Sequence, residues 1–121
     1  MAADLSHIIE QRHGNVTSLY LSGVLDYSTA PLLRHDIDEC AAGDSDRVEI
    51  HLGGIELIDS SGLGALLHAY KIIRARGKEL VFLGNCRAVS RQLERTSLDR
   101  FIKIVPESEG HCLRDKPAST A

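Results

Sequence analysis

The residues with the clearest chemical potential are Asp59, Ser60 and Ser61, three polar side chains that follow the apolar segment 55–58. Short carboxylate and hydroxyl side chains at a helix start can accept hydrogen bonds from the unpaired N–H groups of the first turn. A serine hydroxyl can also act as a nucleophile or accept a phosphoryl group. The sequence therefore places three candidate functional side chains at the positive end of one helix.

Two glycines, Gly62 and Gly64, follow these polar residues and bear on how the motif is interpreted. Capping uses one side chain and contributes about 1 kcal/mol, so a structural interpretation makes the polar residues caps and the glycines packing positions. Glycine inside a helix costs about 1 kcal/mol relative to alanine, and two in the first turn indicate that a bare, approachable surface is needed. Considered in isolation, the Asp-Ser-Ser-Gly motif favours the structural interpretation.

A strand and a helix must position this motif. The apolar residues after it recur at spacings of three and four and predict a helix that ends at Gly77. These residues are Leu63, Leu66, Leu67, Tyr70 and Ile73. The segment 55–58 has the composition of a buried strand, and we expect Gly53-Gly54 to loosen the chain just before it.

The chain before the motif predicts strands around one helix. Residues 5–12 and 16–24 form an antiparallel pair across a turn at 13–15. Ser28 or Thr29 can cap the following helix, which Gly43 closes. Residues 47–52 alternate in polarity as a strand does, and we expect the face that carries Arg47, Glu49 and His51 to be the less buried one.

The chain after the motif continues the alternation of strands and helices. Residues 80–83 predict a buried strand, a short helix reaches about Thr96, and 101–105 predict a last strand. Residues 106–121 contain few apolar side chains, so we expect a loosely ordered C-terminal tail. Strands separated by helices imply crossover connections, hence an α/β fold with a mixed sheet, antiparallel at first and parallel later.

Composition narrows the function classes. With 121 residues and 43% hydrophobic content, the chain fits one domain with a single core. A net charge of −3 predicts no direct binding to nucleic acid. The absence of a signal-like N-terminus or an apolar run of about 20 residues predicts a cytoplasmic protein without a membrane segment. Three cysteines and six histidines lack metal-binding spacings, so we predict no metal and no cofactor.

Three segments of the chain match one known pattern. They are Gly23-Val24-Leu25-Asp26 with Thr29-Ala30, Asp59-Ser60-Ser61-Gly62-Leu63-Gly64, and Leu98-Asp99-Arg100-Phe101. With these segments, most of residues 15–105 resembles the STAS family, and specifically the bacterial anti-sigma factor antagonists. The resemblance implies a STAS domain over residues 1–105, with a small mixed sheet and about three to four helices. His51 stands where the family often has aspartate, which bears on local packing or a surface contact.

The resemblance also implies a regulatory role rather than catalysis. Ser60 is the implied phosphorylation site, and the unphosphorylated form would bind an anti-sigma factor that has serine kinase activity and so release a sigma factor. A serine phosphatase would reset Ser60, and the ATP would be consumed by the partner. Ser61 could also accept the phosphoryl group. The implied partner-binding residues are Asp26, Thr29, Asp59, Ser61, Gly62 and Gly64.

Two other functions are consistent with the serines. A hydrolase would need Ser60 or Ser61 as nucleophile with a histidine base. The candidate bases are His35, His51 and His68. The Gly-x-Ser-x-Gly elbow is absent, and His68 lies two helical turns, roughly 11 Å, along the same helix. The other alternative keeps the STAS fold as a scaffold or a small-molecule-sensing domain of a stressosome-like assembly.

Overall fold

The structure is a computed structural model that describes residues 7–84 and 86–106. Within these ranges, five strands and three α-helices alternate along the chain, and a short 3-10 helix, Leu98–Arg100, precedes the last strand. The elements are β1 (His7–His13), β2 (Val16–Leu25), α1 (Ala30–Ala42), β3 (Arg47–Ile58), α2 (Ser60–Ala75), β4 (Glu79–Leu83), α3 (Arg87–Arg95) and β5 (Ile104–Val105). The predicted succession of elements is confirmed, but the last strand is shorter than the predicted 101–105, because the N–H groups of Phe101 and Ile102 bind the carbonyl oxygen of Leu98.

The strands form one mixed sheet in the order β1-β2-β3-β4-β5. β1 pairs with β2 antiparallel, whereas β2 with β3, β3 with β4 and β4 with β5 are parallel. Each parallel pair is joined through one helix, α1, α2 or α3 in turn. The carboxyl ends of β2 and β3 therefore lie at the same edge of the sheet, which brings Asp26 and Asp59 to that edge. The predicted α/β class with a small mixed sheet is confirmed, and the three α-helices of the described residues agree with the predicted three to four.

One face of the sheet packs against the helices and forms the core. Leu19 of β2, Ile50 of β3 and Phe82 of β4 are buried, and they meet the buried stripes of α1 and α2. Those stripes consist of Leu33, Ile37, Cys40 and Ala41 in α1 and Leu63, Leu66, Ala69 and Ile73 in α2. Burying one large aliphatic side chain contributes about 1.5–3 kcal/mol, so this core fixes how α2 lies on the sheet.

The prediction that Gly53-Gly54 loosens the chain is wrong. β3 runs without interruption from Arg47 to Ile58 and keeps its pairing with β2 through Gly54, opposite Ser22. A Cβ at Gly54 would lie 2.7 Å from the carbonyl oxygen of Leu21. Glycine is thus required here for close approach of two strands, and the pairing shifts register on either side of this point.

The prediction that the Glu49 and His51 face is less buried is also wrong. Glu49 is 0% exposed and His51 is 3% exposed. Burial of a charged group is tolerated when it is paired, and Glu49 accepts hydrogen bonds from Ser18 Oγ at 3.3 Å and Arg47 Nε at 3.0 Å. The His51 ring stacks on Tyr20 with centroids 4.1 Å apart. The alternation of apolar and polar residues along β3 was predicted correctly. Glu49 and His51 on the polar face are nevertheless buried, and residues of the neighbouring strand β2 supply their partners.

The described residues stop short of the predicted tail. Pro106 is exposed, and residues 107–121 lie outside the described part of the chain, as does Asn85 in the predicted turn after β4. In the ranges that the structure does describe, no helix has the length and apolarity that crossing a membrane requires.

Candidate functional site

Two strand-to-helix turns meet at the edge where β2 and β3 end. The β2–α1 turn comprises residues 26–29, and the β3–α2 turn comprises Asp59 with the first turn of α2, residues 60–64. All seven residues that the sequence singled out for phosphorylation or partner binding lie in these two turns. The sequence placed them in two separate segments, and the parallel pairing of β2 with β3 brings them together.

Asp59 is the residue that fixes the start of α2. It occupies the N-cap position, and its Oδ1 accepts a hydrogen bond from the N–H of Gly62 at 3.0 Å. Its Oδ2 accepts from the N–H of Tyr27 at 3.3 Å, and its own N–H donates to the carbonyl oxygen of Leu25 at 3.1 Å. One carboxylate therefore caps the helix and ties the two turns together.

Asp26 organises the β2–α1 turn in a similar way. Its Oδ1 accepts from the Ser28 hydroxyl at 2.7 Å and from the backbone N–H groups of Ser28 at 3.0 Å and Thr29 at 3.3 Å. The hydrogen bond from the Ser28 hydroxyl, supported by these N–H groups, holds the pKa of Asp26 below its usual value. Asp26 is consequently ionised at neutral pH and acts as the turn-capping carboxylate.

Thr29 lies inside the β2–α1 turn and is only 1% exposed. Its hydroxyl accepts a hydrogen bond from the N–H of Asp26 at 2.9 Å and donates to the carbonyl oxygen of Val24 at 2.9 Å. It makes no capping hydrogen bond, although it holds the N-cap position of α1. The prediction that Ser28 or Thr29 caps this helix is therefore confirmed for the position of Thr29 but not for a side-chain cap, because both hydroxyls bind within the turn instead.

Ser60 and Ser61 begin α2 and differ from the hydroxyl residues of the other turn. Ser60 is exposed and Ser61 is half-buried. Across the described residues, neither hydroxyl makes a hydrogen bond within the protein, because Asp59 already supplies the cap. The Ser60 hydroxyl is thus open to solvent and to an incoming reactant at the positive end of a 16-residue helix.

The two glycines of α2 have different roles. Gly62 is buried, and a Cβ there would lie 2.6 Å from Leu25 O and 2.8 Å from Ile58 Cγ1. A Cβ at Gly64 would meet only the tip of a flexible side chain, Arg34 Nη2, at 3.2 Å. The expectation of a bare surface therefore fits Gly64, whereas Gly62 is needed for close packing of α2 against the ends of β2 and β3.

The exposure of two apolar side chains near Asp59 was not predicted from the sequence. Tyr27 is 76% exposed and its backbone binds Asp59, while Leu57, two residues before Asp59, is 64% exposed. Large apolar side chains are enriched where proteins bind one another. The available signal was the alternation at the end of β3, where Ile58 is buried and the preceding leucine must face the other way.

The three histidines considered as bases all lie near carboxylates. His35 Nε2 is 3.2 Å from Glu39, His51 Nε2 is 3.4 Å from Glu49, and His68 Nε2 is 2.7 Å from Asp38. None is paired with a serine of the β3–α2 turn. On α1, three potential metal-ligand atoms lie within 4.8 Å of one another. They belong to His35, Asp36 and Glu39, a group that was not predicted from the sequence.

The comparisons with known proteins agree with this geometry. Residues 7–110 match the family model described as STAS domain. An anti-sigma F factor antagonist of Paenibacillus polymyxa is 32% identical over 95 residues, which cover 78% of this chain and 81% of that protein. An anti-sigma-B factor antagonist of Listeria monocytogenes is 29% identical over 101 residues, or 84% of this chain and 89% of that protein.

A solved structure supports the same fold. The crystal structure of an anti-sigma factor antagonist from Mycobacterium paratuberculosis superimposes with a TM-score of 0.78 at 24% identity, covering 88% of this chain and 91% of that one. The match of the family model spans both turns and every element of the sheet. The chain therefore belongs to the STAS domain family.

Proposed function

We propose that this protein is an anti-sigma factor antagonist whose unphosphorylated form binds an anti-sigma factor with serine kinase activity and so releases a sigma factor. Phosphorylation of Ser60 abolishes this binding, and a serine phosphatase restores it. The observation that carries the proposal is the exposed Ser60 hydroxyl, which has no hydrogen bond to any described residue at a helix start already capped by Asp59. The names of the curated relatives support the same role.

The electrostatics of the site explain how one phosphate could act as a switch. A phosphoryl group at Ser60 adds about −1.5 to −2 charges. At the N-terminus of α2 the helix dipole favours such a charge by roughly 0.3–1 kcal/mol, so the domain stays folded. Pressed against a partner without a matching cation, the same charge costs several kcal/mol, and each 1.4 kcal/mol is about tenfold in affinity.

The residues around Ser60 have two roles in this proposal: some contact the partner, and others hold the two turns in place. Tyr27 and Leu57 are exposed apolar side chains next to the two turns and would offer the partner apolar contacts, while Ser60 and Gly64 would be contacted at the start of α2. Thr29 and Gly62 are buried, so their contribution is to hold the turns in place. In this arrangement the protein is a ligand and a substrate of its partner, and the kinase supplies the catalysis and the ATP site.

The proposal is tested by incubating the purified protein with ATP and a candidate anti-sigma factor kinase, then mapping phosphate by peptide mass spectrometry. We expect phosphate on Ser60 and none in the Ser60→Ala variant. Ser90→Ala is the matched control, because Ser90 is a serine of α3 and lies outside both turns. Loss of phosphorylation in the control, or unchanged phosphorylation of Ser60→Ala, would contradict the proposal.

Binding measurements test the second half of the switch. Ser60→Ala should bind the kinase whether or not ATP is present, and the phosphorylated protein should bind far more weakly. Ser60→Asp should lie between them, because it adds about one charge instead of nearly two. Equal affinity of native, Ser60→Asp and phosphorylated protein, measured by isothermal calorimetry, would reject the electrostatic mechanism.

Within the described ranges 7–84 and 86–106, the pocket that the structure shows does not favour the alternative of a small-molecule sensor. A pocket of about 220 Å³ opens between α3 and the segment 99–104, and Ser90, Glu94 and Lys103 contribute to its lining. Ligand pockets usually measure about 300–1,000 Å³ and have a predominantly apolar lining. The pocket is smaller and carries several charged groups, so the antagonist role is better supported than the sensor, whereas the scaffold alternative does not depend on a pocket.

A further inference from the structure

Arg34 of α1 lies across the first turn of α2. Its guanidinium is so close to Gly64 that a Cβ on this glycine would be 3.2 Å from Arg34 Nη2. Ser60 precedes Gly64 by four residues in the same helix, and side chains at this spacing share a face with Cβ positions about 5–6 Å apart. The guanidinium therefore lies about one helical turn from the Ser60 side chain.

The same alignment of the two helices recurs one turn further along. Asp38 of α1 lies 2.7 Å from His68 of α2, measured from Oδ1 to Nε2, and each is four residues beyond the Arg34 and Gly64 positions. Counting four residues back from Arg34 and Gly64 places Ala30 opposite Ser60. Ala30 has no polar side chain, so the nearest Lys or Arg that α1 offers to Ser60 is Arg34.

Arg34 also has no polar partner among the described residues. It is exposed, and within the described residues its side chain makes no hydrogen bond and no ion pair. The carboxylate nearest in sequence to Ser60, that of Asp59, already accepts hydrogen bonds from Gly62 and Tyr27. Arg34 can therefore change its rotamer without breaking a hydrogen bond or an ion pair to any described residue. Gly64 has no side chain that could separate the guanidinium from the first turn of α2.

We propose that Arg34 binds the phosphoryl group of Ser60 in the phosphorylated form. The guanidinium turns toward the N-terminus of α2 and donates hydrogen bonds to phosphoryl oxygens at about 2.7–2.9 Å, the geometry that suits arginine and phosphate. This inference rests on the proposed phosphorylation of Ser60 and adds an intramolecular partner for the phosphate. Arg34 thereby fixes the position of the phosphate beside the first turn of α2. The phosphate keeps part of its negative charge there, because it carries about −1.5 to −2 charges and one guanidinium offsets only one of them.

The test uses the full chain with phosphoserine incorporated at position 60 during translation, so that no kinase is needed. The second pKa of the phosphate, about 6 when unperturbed, is measured by phosphorus NMR titration. A guanidinium in contact should lower this pKa, and Arg34→Gln should raise it by about half a unit or more. Arg34→Lys should give an intermediate value, because a single ammonium replaces the two-pronged contact.

Arg91→Gln is the matched control, because it removes the same charge from an exposed position on α3. It should leave the phosphate pKa unchanged. A second readout is the Arg34 Nε–H signal in nitrogen NMR, which should shift on phosphorylation and slow in exchange. If Arg34→Gln and native protein, both folded by circular dichroism, give the same phosphate pKa, the inference is overturned.

These outcomes are separate from those that test the switch itself. Absence of kinase-dependent phosphate on Ser60 would count against the proposed function while the phosphorus titration still reads the Arg34 contact. A phosphate pKa that responds equally to Arg34→Gln and Arg91→Gln would show only a general charge effect and would overturn the assignment to Arg34.

Discussion

The β2–α1 turn and the β3–α2 turn are built from the same residue types but use them differently. Each follows a parallel strand, begins with an aspartate and continues with hydroxyl residues. In the first turn the hydroxyls of Ser28 and Thr29 are consumed by internal hydrogen bonds. In the second, Asp59 alone makes the cap and Ser60 remains available. The difference shows that a hydroxyl is available for chemistry when a neighbour has taken over its structural task.

The largest expected effect comes from Gly62→Ala. A new Cβ would lie 2.6 Å from a backbone oxygen of Leu25, and overpacking of this kind costs about 1–3 kcal/mol. We expect a loss toward the upper end of that range in urea unfolding, because backbone cannot move aside as a side chain can. Gly64→Ala is the matched control and should be neutral or stabilising by up to about 1 kcal/mol. Equal effects at the two glycines would contradict their assigned roles.

Thr29→Val should have the next largest effect. The change keeps the shape of the side chain but leaves the N–H of Asp26 without the Thr29 hydroxyl acceptor, at a cost of about 1–2 kcal/mol. Ser61→Ala, which removes a hydroxyl without an internal partner, should change the unfolding free energy little. If denaturant unfolding gave similar changes in unfolding free energy for both variants, the distinction between hydrogen-bonded and unbonded hydroxyls would be contradicted.

Asp59→Ala should cost about 1 kcal/mol through loss of the helix cap. Because Asp59 also accepts from the N–H of Tyr27, amide exchange at Tyr27 should speed up in the same variant. Asp59→Asn keeps an acceptor oxygen and should lose less than the alanine variant. Unchanged exchange at Tyr27 would show that the two turns are held together by other contacts.

The smallest effect concerns the pH dependence contributed by Asp26. Its pKa is lower in the folded protein, chiefly through the Ser28 hydroxyl, so it stabilises the fold above the ordinary value of 3.8. That contribution is lost as pH falls through the lowered folded pKa. Asp26→Asn should therefore make unfolding less sensitive to pH on the acid side. The urea midpoints of the native protein and the variant should therefore diverge as the pH is lowered below 3.8. Midpoints that fall in parallel would contradict the contribution of Asp26.

The fold and the position of the motif could be predicted because they depend on local patterns. The helical spacing after Ser60 and the alternation of strands with helices were enough to predict an α/β fold with a mixed sheet. The identity of the capping residue was harder. Ser28 or Thr29 was expected to cap α1, and Thr29 does hold the N-cap position. Its hydroxyl, however, binds the backbone of β2, and the Ser28 hydroxyl binds Asp26.

Features that depend on neighbouring strands could not be read from a local pattern. Glu49 is buried because Ser18, 31 residues earlier, donates to it from the adjacent strand. Gly54 continues β3 because Leu21 of β2 lies against it. The proximity of Arg34 to Gly64 likewise depends on how two helices pack. Each of these contacts joins residues far apart in sequence, so periodicity alone gives no information about them.

The double hydrogen bonding of Asp59 has a consequence for the entropy of association. Because its carboxylate holds both the first turn of α2 and the backbone of Tyr27, the two turns that we propose as the partner-binding site are ordered before any partner binds. Fixing one residue of flexible backbone costs about 1–2 kcal/mol, and a preorganised loop avoids that loss on binding. A kinase would therefore meet a surface of constant shape, and phosphorylation would change its charge without any need to refold it.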